Sequence, residues 1–207
     1  MSNSPNIEKL IEQLRILPGV GPKTAQRMAF HVLAQHRRSK AKHLAQTLEM
    51  AVQTVRHCDS CRNYCESTLC HICASPDRDP STLCIIESPQ DVWAIEQTAS
   101  FKGHYFVLHG RLSPLDGIGP QDIGLDQLIK RMSTTSVQEL IIATNSTVEG
   151  EATAHYIAQQ AQPLNIPCSR IAHGVPMGGE LEYLDGNTLS YALQARVQLD
   201  TDHVDQR

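Results

Sequence analysis

Four cysteines carry the clearest chemistry in this chain. Cys58-Asp59-Ser60-Cys61 is followed, after eight residues, by Cys70-His71-Ile72-Cys73. Each Cys-x-x-Cys half presents two thiolates to one cation, and two halves complete a tetrahedron. Four thiolates leave no open coordination position, so the site is structural, and zinc is the metal that suits it. The competing chemistries are a redox dithiol and an iron–sulfur cluster. A redox pair has no use for the second half, and cluster spacings differ. The loop between the halves is short for a zinc ribbon, which implies a compact finger. Cys65, inside that loop, is not expected to be a ligand, and His71 is flanked by better donors. Cys84 and Cys168 sit in apolar, strand-like contexts and read as buried free thiols. The total of seven cysteines is odd, and the opening MSNSPNIEKL lacks the apolar stretch of an export signal. Both argue against a disulfide framework and for a cytoplasmic protein.

A second chemistry is aimed at phosphate. In Leu17-Pro18-Gly19-Val20-Gly21-Pro22-Lys23-Thr24-Ala25, two glycines let the backbone turn tightly and approach a ligand closely. The N–H groups of such a turn, and of the helix that follows, lack internal partners and sit at the positive end of a helix dipole. Lys23 adds a charge there, and Arg27 lies one turn further on. An ordinary helix–helix turn also uses Gly and Pro. Here, however, the string lies between two amphipathic segments in residues 1–57, which hold nine Lys and Arg against three acids. That is a balance of +6, leaving −10 for residues 58–207 of a chain whose total is −4. A basic end on an acidic body suggests a polyanion-binding module beside a part with another job. The string looks like a helix-hairpin-helix, which reads the DNA backbone without sequence information. Gly19, Gly21, Lys23, Arg27, Arg37 and Arg38 are the candidate DNA-binding residues. Helix-hairpin-helix elements also serve as dimerisation surfaces, and both roles stay open.

The third group is acidic. Leu83-Cys84-Ile85-Ile86-Glu87 puts a carboxylate at the C-terminal end of a predicted strand, where α/β sheets place functional groups. Asp91 reads as a capping-box acid instead. Further on, Ile141-Ile142-Ala143-Thr144-Asn145-Ser146-Thr147-Val148-Glu149-Gly150-Glu151-Ala152 places two more acids at a helix start. Strand–Glu, then strand–loop–Glu-Gly-Glu-Ala–helix, resembles a Toprim domain, the metal-dependent module of topoisomerases and primases. That resemblance implies Asp-x-Asp just before the Glu-Gly-Glu, and this chain has Asn145 and Thr147 there. Magnesium prefers hard anionic oxygens, so the site is expected to be weak or empty. Glu149 and Glu151 also have a plain structural reading, as first-turn acids that complement a helix dipole.

The elements that must position these groups follow from periodicity. Pro5 opens a helix with Ile7, Leu10, Ile11 and Leu14 on one face. Pro22 opens a second, with Ala25, Met28, Ala29 and Val32 on one face. Ser39 is expected to cap a third, carrying Leu44, Leu48, Ala51, Val52 and Val55. Asp77–Pro80 reads as a linker. Beyond it, predicted strands Leu83–Ile86, Tyr105–Leu108, Leu140–Ala143 and Ser169–Ala172 alternate with helices Pro89–Ala99, Asp126–Thr134 and Gly150–Gln162. That alternation gives a mostly parallel sheet covered by helices. Hydrophobic content of 41% over 207 residues is enough for a packed core. No apolar run approaches the roughly 20 residues of a membrane-spanning helix. The expected fold is α+β and multi-modular: a helical helix-hairpin-helix region (1–57), a four-cysteine finger (58–73), an α/β Toprim domain (81–176) and a short C-terminal segment (177–207).

These modules, in this order and at about this length, resemble the RecR recombination-mediator family across essentially the whole chain. Leu112-Ser113-Pro114-Leu115-Asp116-Gly117-Ile118-Gly119-Pro120, Arg170-Ile171-Ala172-His173-Gly174-Val175-Pro176, Gly178-Gly179-Glu180-Leu181-Glu182-Tyr183 and Thr188-Leu189 also fit. Ser146 stands where that family usually has proline, and His109 where glycine is common. The resemblance implies a homo-dimer or homo-tetramer that binds single- and double-stranded DNA. It also implies work with RecO-like and RecF-like partners to help RecA load. Glu87, Glu149 and Glu151 would then be a partner-facing platform, with no catalytic residue and no membrane contact, in the cytoplasm or on the nucleoid. The reading from another class is a metal-dependent Toprim nuclease or topoisomerase-like enzyme. Asn145 and Thr147 discriminate against it, and 207 residues leave little room for a separate tyrosine-bearing domain.

Overall fold

The computed structural model describes residues 4–172, 174–176 and 178–196. Two compact units divide at Arg56/His57.

The first unit is helical. α1 (Pro5–Leu14) and α2 (Pro22–Leu33) each carry proline in the first turn, where its missing N–H costs nothing. Ile7, Leu10, Ile11 and Leu14 are half-buried, as their spacing predicts, and Ala25 and Ala29 are fully buried between the helices. α3 (Arg38–Thr54) departs from expectation. Ser39 does not cap it: a 3-10 turn over Gln35–Arg37 leads straight into Arg38, and Ser39 lies inside the first turn. The face predicted to be apolar is present but uncovered. α3 has no buried residue, and Leu44, Leu48 and Val52 are 53%, 58% and 83% exposed.

A small finger comes next, and the second unit begins within its first strand, at His57. β1 (Arg56–His57) pairs with β2 (Tyr64–Cys65), and the one-turn helix α4 (His71–Ala74) follows. Then come β3 (Asp79–Ile86), α5 (Pro89–Gln97), β4 (Gly103–Val107), α6 (Leu125–Thr134), β5 (Glu139–Ala143), α7 (Val148–Ala161), β6 (Cys168–Arg170) and α8 (Gly186–Gln194). The last four strands form one parallel sheet in the order β4-β3-β5-β6. β3 starts earlier than predicted. Asp79 and Pro80, expected in a linker, belong to the strand, because the Asp79 N–H donates to Lys102 O alongside β4. The C-terminal segment, for which no element is expected, forms α8, capped by Asp185. β6 is a three-residue edge strand, and Cys168 on it is exposed, correcting its assignment as a buried thiol. Cys84 is buried as expected, and that burial pushes its thiol up to about 12.

Strand alternation divides the core. Leu83 and Ile85 of β3 face α6 and α7, packing with Leu128, Ile157 and others. Cys84 and Ile86 face the opposite way, onto Val92 of α5 and onto Cys58, Cys61, Cys70 and Ile72 of the finger. A parallel sheet needs both faces covered. Here the finger shares that duty with a single helix. No helix among the described residues is long and apolar enough to cross a membrane.

Candidate functional sites

The four ligand candidates meet. The Sγ atoms of Cys58, Cys61, Cys70 and Cys73 all lie within 4.8 Å of one another, with Cys61 and Cys70 at 3.5 Å. Tetrahedral ligation with Zn–S bonds of about 2.3 Å places sulfurs just under 4 Å apart, so the cluster has the right size. Two backbone amides already serve it as they would thiolates: Cys70 N–H donates to Cys58 Sγ at 3.3 Å, and Cys73 N–H to Cys70 Sγ at 3.5 Å. Each Cys-x-x-Cys turn is tight. Arg62, just after the first, takes φ +63 so that its N–H returns to Cys58 O. Four sulfurs this close resist common ionisation without a cation. Hydrogen bonding among the thiols holds Cys70 low and pushes Cys61 up. Zinc is therefore the structural centre of this finger. Cys65 stays outside it, its Sγ against Ser67 O at 2.9 Å, and His71 is exposed.

The Toprim carboxylates sit at the topological switch. β3 is first in the chain, β4 lies on one side of it and β5 on the other, so a crevice opens where β3 and β5 end. The last register pair is Ile86 with Ala143, which delivers Glu87 and Asn145 to the same point. Glu87 is 7% exposed, and both its oxygens are taken. Asn145 N–H donates to Oε1 at 2.8 Å, Asn145 Nδ2 donates to Oε2 at 2.7 Å, and Arg111 Nη1 lies 3.9 Å from Oε2. Where the resemblance implies an aspartate, Asn145 supplies donors to the very carboxylate that would hold a metal. Thr147, at the other departed position, caps α7: its Oγ1 accepts from Gly150 N–H at 3.1 Å. That cap starts α7 at Val148 rather than Gly150. Gly150 itself must be glycine, since a Cβ there would meet Asn145 O at 2.0 Å.

The remaining acids are dispersed. Glu151 forms an ion pair with Arg170, whose other nitrogen donates to Thr144 O at 3.1 Å. Glu149 is half-buried in the first turn of α7. Asp91 caps α5 as read from sequence, accepting from Ser88 N–H at 2.8 Å. Sequence reasoning missed Arg111 and Arg170 as partners of the acids. They lie far along the chain from those acids, and no local spacing announces them. Position 109 gives a physical reason for the expected glycine: His109 has φ +59. Its ring compensates by stacking on His57 at 4.4 Å, with Nε2 at 2.6 Å from Arg62 O.

In the helical unit, the hairpin has the predicted geometry. Gly19 takes φ +76, Val20 N–H returns to Leu17 O, and Gly21 precedes α2. Gly19, Gly21, Lys23 and Arg27 are all exposed, and a Cβ at either glycine would meet open space. Arg38 is exposed. Arg37 is half-buried, with Nε donating to His36 Nε2 at 3.2 Å. Two shallow depressions share His31 and Val32, one bordered by Arg27 and the other by Arg37 and Lys40. The cations thus follow one strip of surface.

Comparison with known proteins agrees module by module. Residues 7–52 match the family described as RecR, helix-hairpin-helix, and residues 55–75 the RecR four-cysteine zinc finger domain. Residues 81–172 match the Toprim domain and residues 174–197 the RecR C-terminal family. The chain is 56% identical over 197 residues to the recombination protein RecR of Coxiella burnetii, covering 95% of this chain and 98% of that one. It is 56% identical over 195 residues to the recombination protein RecR of Hahella chejuensis, covering 94% and 96%. The chain belongs to the RecR family. That membership accounts for the order of the modules and for the four-cysteine centre.

Proposed function

We propose that this protein is a cytoplasmic recombination mediator of DNA repair. It binds DNA through the hairpin of its helical unit and works through assembly and partners rather than through catalysis. Kinship with proteins named for recombination supplies the process. The observation that carries the mode of action is the occupied carboxylate: Glu87 spends both oxygens on Asn145. Metal-assisted phosphoryl chemistry needs a firmly held cation to stabilise developing charge. Here the carboxylates are engaged from within: the Asn145 amides occupy the oxygens of Glu87, and Arg170 pairs with Glu151.

The DNA contact is electrostatic and indifferent to sequence, made by the amides around Gly19 and Gly21 and by Lys23, Arg27, Arg37 and Arg38. The assembly is a homo-dimer or homo-tetramer, which the bare face of α3 supports. A helix of this length gains little stability alone in water, and Leu44, Leu48 and Val52 leave a contiguous apolar stripe for a second copy to cover. RecO-like and RecF-like proteins are the partners that would couple the assembly to RecA loading. Of the three acids expected to face the RecO-like one, Glu149 and Glu151 reach the Toprim surface, whereas Glu87 is buried at the crevice and would act only by holding Asn145 in place.

Supercoiled and single-stranded DNA incubated with the full-length protein and magnesium or manganese should be neither cleaved, relaxed nor primed. Cleavage or relaxation by the wild type, absent from Glu87→Ala, would overturn this reading in favour of a Toprim enzyme.

A further inference from the structure

Within the second unit, the finger and the sheet are joined by two arginines that run in opposite directions. Arg62 leaves the finger. Its Nη1 donates to Ile123 O at 2.6 Å and approaches Leu108 O at 3.4 Å, and its guanidinium lies over the Phe106 ring at 5.6 Å from the centroid. Gly124 makes room for it, since a Cβ there would sit 2.1 Å from an Arg62 nitrogen. Asp126 is the charge that faces it. Arg131 runs the other way, from α6 around the edge of β4. Its Nη1 donates to Ser60 O at 2.8 Å, between the ligands Cys58 and Cys61, and to Tyr105 O at 2.9 Å. The edge is closed further by Val107 N–H donating to Cys61 O at 2.9 Å.

The two arginines differ in what balances their charge. Among the described residues no carboxylate pairs with Arg131. The negative groups that face it are the sulfurs of Cys73, Cys61, Cys58 and Cys70. Desolvation works against its guanidinium, and those sulfurs work for it. Four thiolates around a divalent cation keep a net double negative charge. A dianion held against an apolar core and a guanidinium without a carboxylate each need what the other has.

We propose that Arg131 is the counter-charge of the metal–tetrathiolate centre, and so the positioning residue that makes the finger a layer of the Toprim fold rather than an appended module. It touches no sulfur. It acts through its field and through the Ser60 carbonyl that holds the first Cys-x-x-Cys turn. The dependence runs both ways. Without Arg131 the metal–tetrathiolate loses a facing positive charge and the first Cys-x-x-Cys turn loses the donor on its Ser60 carbonyl, so the metal leaves sooner. Without the metal the first Cys-x-x-Cys turn loses its anchor, and with it goes the Ser60 carbonyl that ties Arg131 and β4 to the finger.

The test uses the zinc-loaded full-length protein with Arg131→Lys, Arg131→Met and Arg62→Met. Zinc transfer to excess chelator is timed for each at the same interval below its own melting temperature, which removes differences in overall stability. Arg131→Met should release zinc about tenfold faster or more, the usual size of an outer-shell effect. Arg131→Lys should fall between it and the wild type. Arg62→Met, whose charge partner is Asp126, should stay near the wild type. Equal release by Arg131→Met and the wild type, or by the Met variants at both sites, would reduce Arg131 to a packing residue and overturn the proposal. Should Arg131→Met not fold, the Lys variant carries the comparison, and the wild type tests the reverse direction. On zinc removal, hydrogen exchange should rise in Gly103–Val107 and Leu125–Thr134 as well as in residues 58–73. A rise confined to residues 58–73 would refute the coupling.

Discussion

The two units manage apolar surface in opposite ways. Among the described residues of the helical unit the fully buried side chains are Ala25 and Ala29, while Phe30, Leu44, Leu48 and Val52 are exposed beside a strip of cations. In the second unit Leu83, Ile85, Ile86, Val107, Leu108 and Leu140 are all at 0% exposure, and even a crevice carboxylate is internally satisfied. One unit leaves the face of a helix without cover, while the other covers both faces of its sheet. Apolar surface left uncovered beside cations is open to a second molecule, whereas apolar surface packed on both faces of a sheet is committed to the fold itself.

The sharpest way to break that contrast is to unseal the second unit. Structural zinc contributes on the order of 10 kcal/mol to small fingers, comparable to the whole margin of an ordinary domain, about 5–15 kcal/mol. Cys58→Ser or Cys70→Ser should therefore yield insoluble or partly unfolded protein, and metal analysis of the wild type should find one zinc per chain. Less than half an equivalent, or an iron chromophore, would sink the zinc assignment.

Next in size is the open face of α3. Burying a leucine is worth about 1.5–3 kcal/mol. Leu44→Lys with Leu48→Lys should thus weaken self-association by roughly a hundredfold or more in light scattering, with little loss of helix by circular dichroism. An unchanged mass would mean that these residues do not lie at the subunit contact.

A smaller effect should follow from reopening the crevice. Asn145→Asp exchanges a donor to Glu87 for a second carboxylate, at a cost of about 1–3 kcal/mol. Magnesium should restore part of that, most clearly with Thr147→Asp added, since Asp also caps a helix. A melting temperature indifferent to both substitution and magnesium would contradict the closed-crevice description.

The smallest expected change lies in the hairpin. Lys23→Ala and Arg27→Ala should each remove about one phosphate contact, lowering the slope of log affinity against log salt by about 0.9 for duplex DNA. Unchanged binding at low salt would leave the hairpin an assembly element only.

What was legible beforehand follows physical range. The Cys-x-x-Cys spacing, the Gly19-Val20-Gly21 turn and the acids at strand and helix ends are local patterns, and local geometry fixes them. Glu87 and Asn145 are 58 residues apart. The strand pattern places each at a strand end, but only the sheet order makes them neighbours. The missed groups act at longer reach or by tertiary choice. Arg131 meets Ser60 across 71 residues. Asp79 joins β3 because Lys102 O is there to accept from it. Cys168 is exposed because its strand falls at the sheet's edge. Ser39 has the side chain of a cap, but the 3-10 turn at Gln35–Arg37 starts the helix two residues sooner, with Arg37 at the cap position.

The finger's place under the sheet brings a concentration variable into the folding of the second unit. Cys58, Cys61, Cys70 and Ile72 pack directly on Cys84, Ile86 and Val107, so the metal is part of what covers that face. A ligand that binds only the folded state stabilises it by mass action, by about 1.4 kcal/mol for each tenfold rise in its free concentration. The share of chains fully assembled is thereby tied to the free zinc around them. Newly made protein would feel scarcity first, before any subunit has met its partner or its DNA.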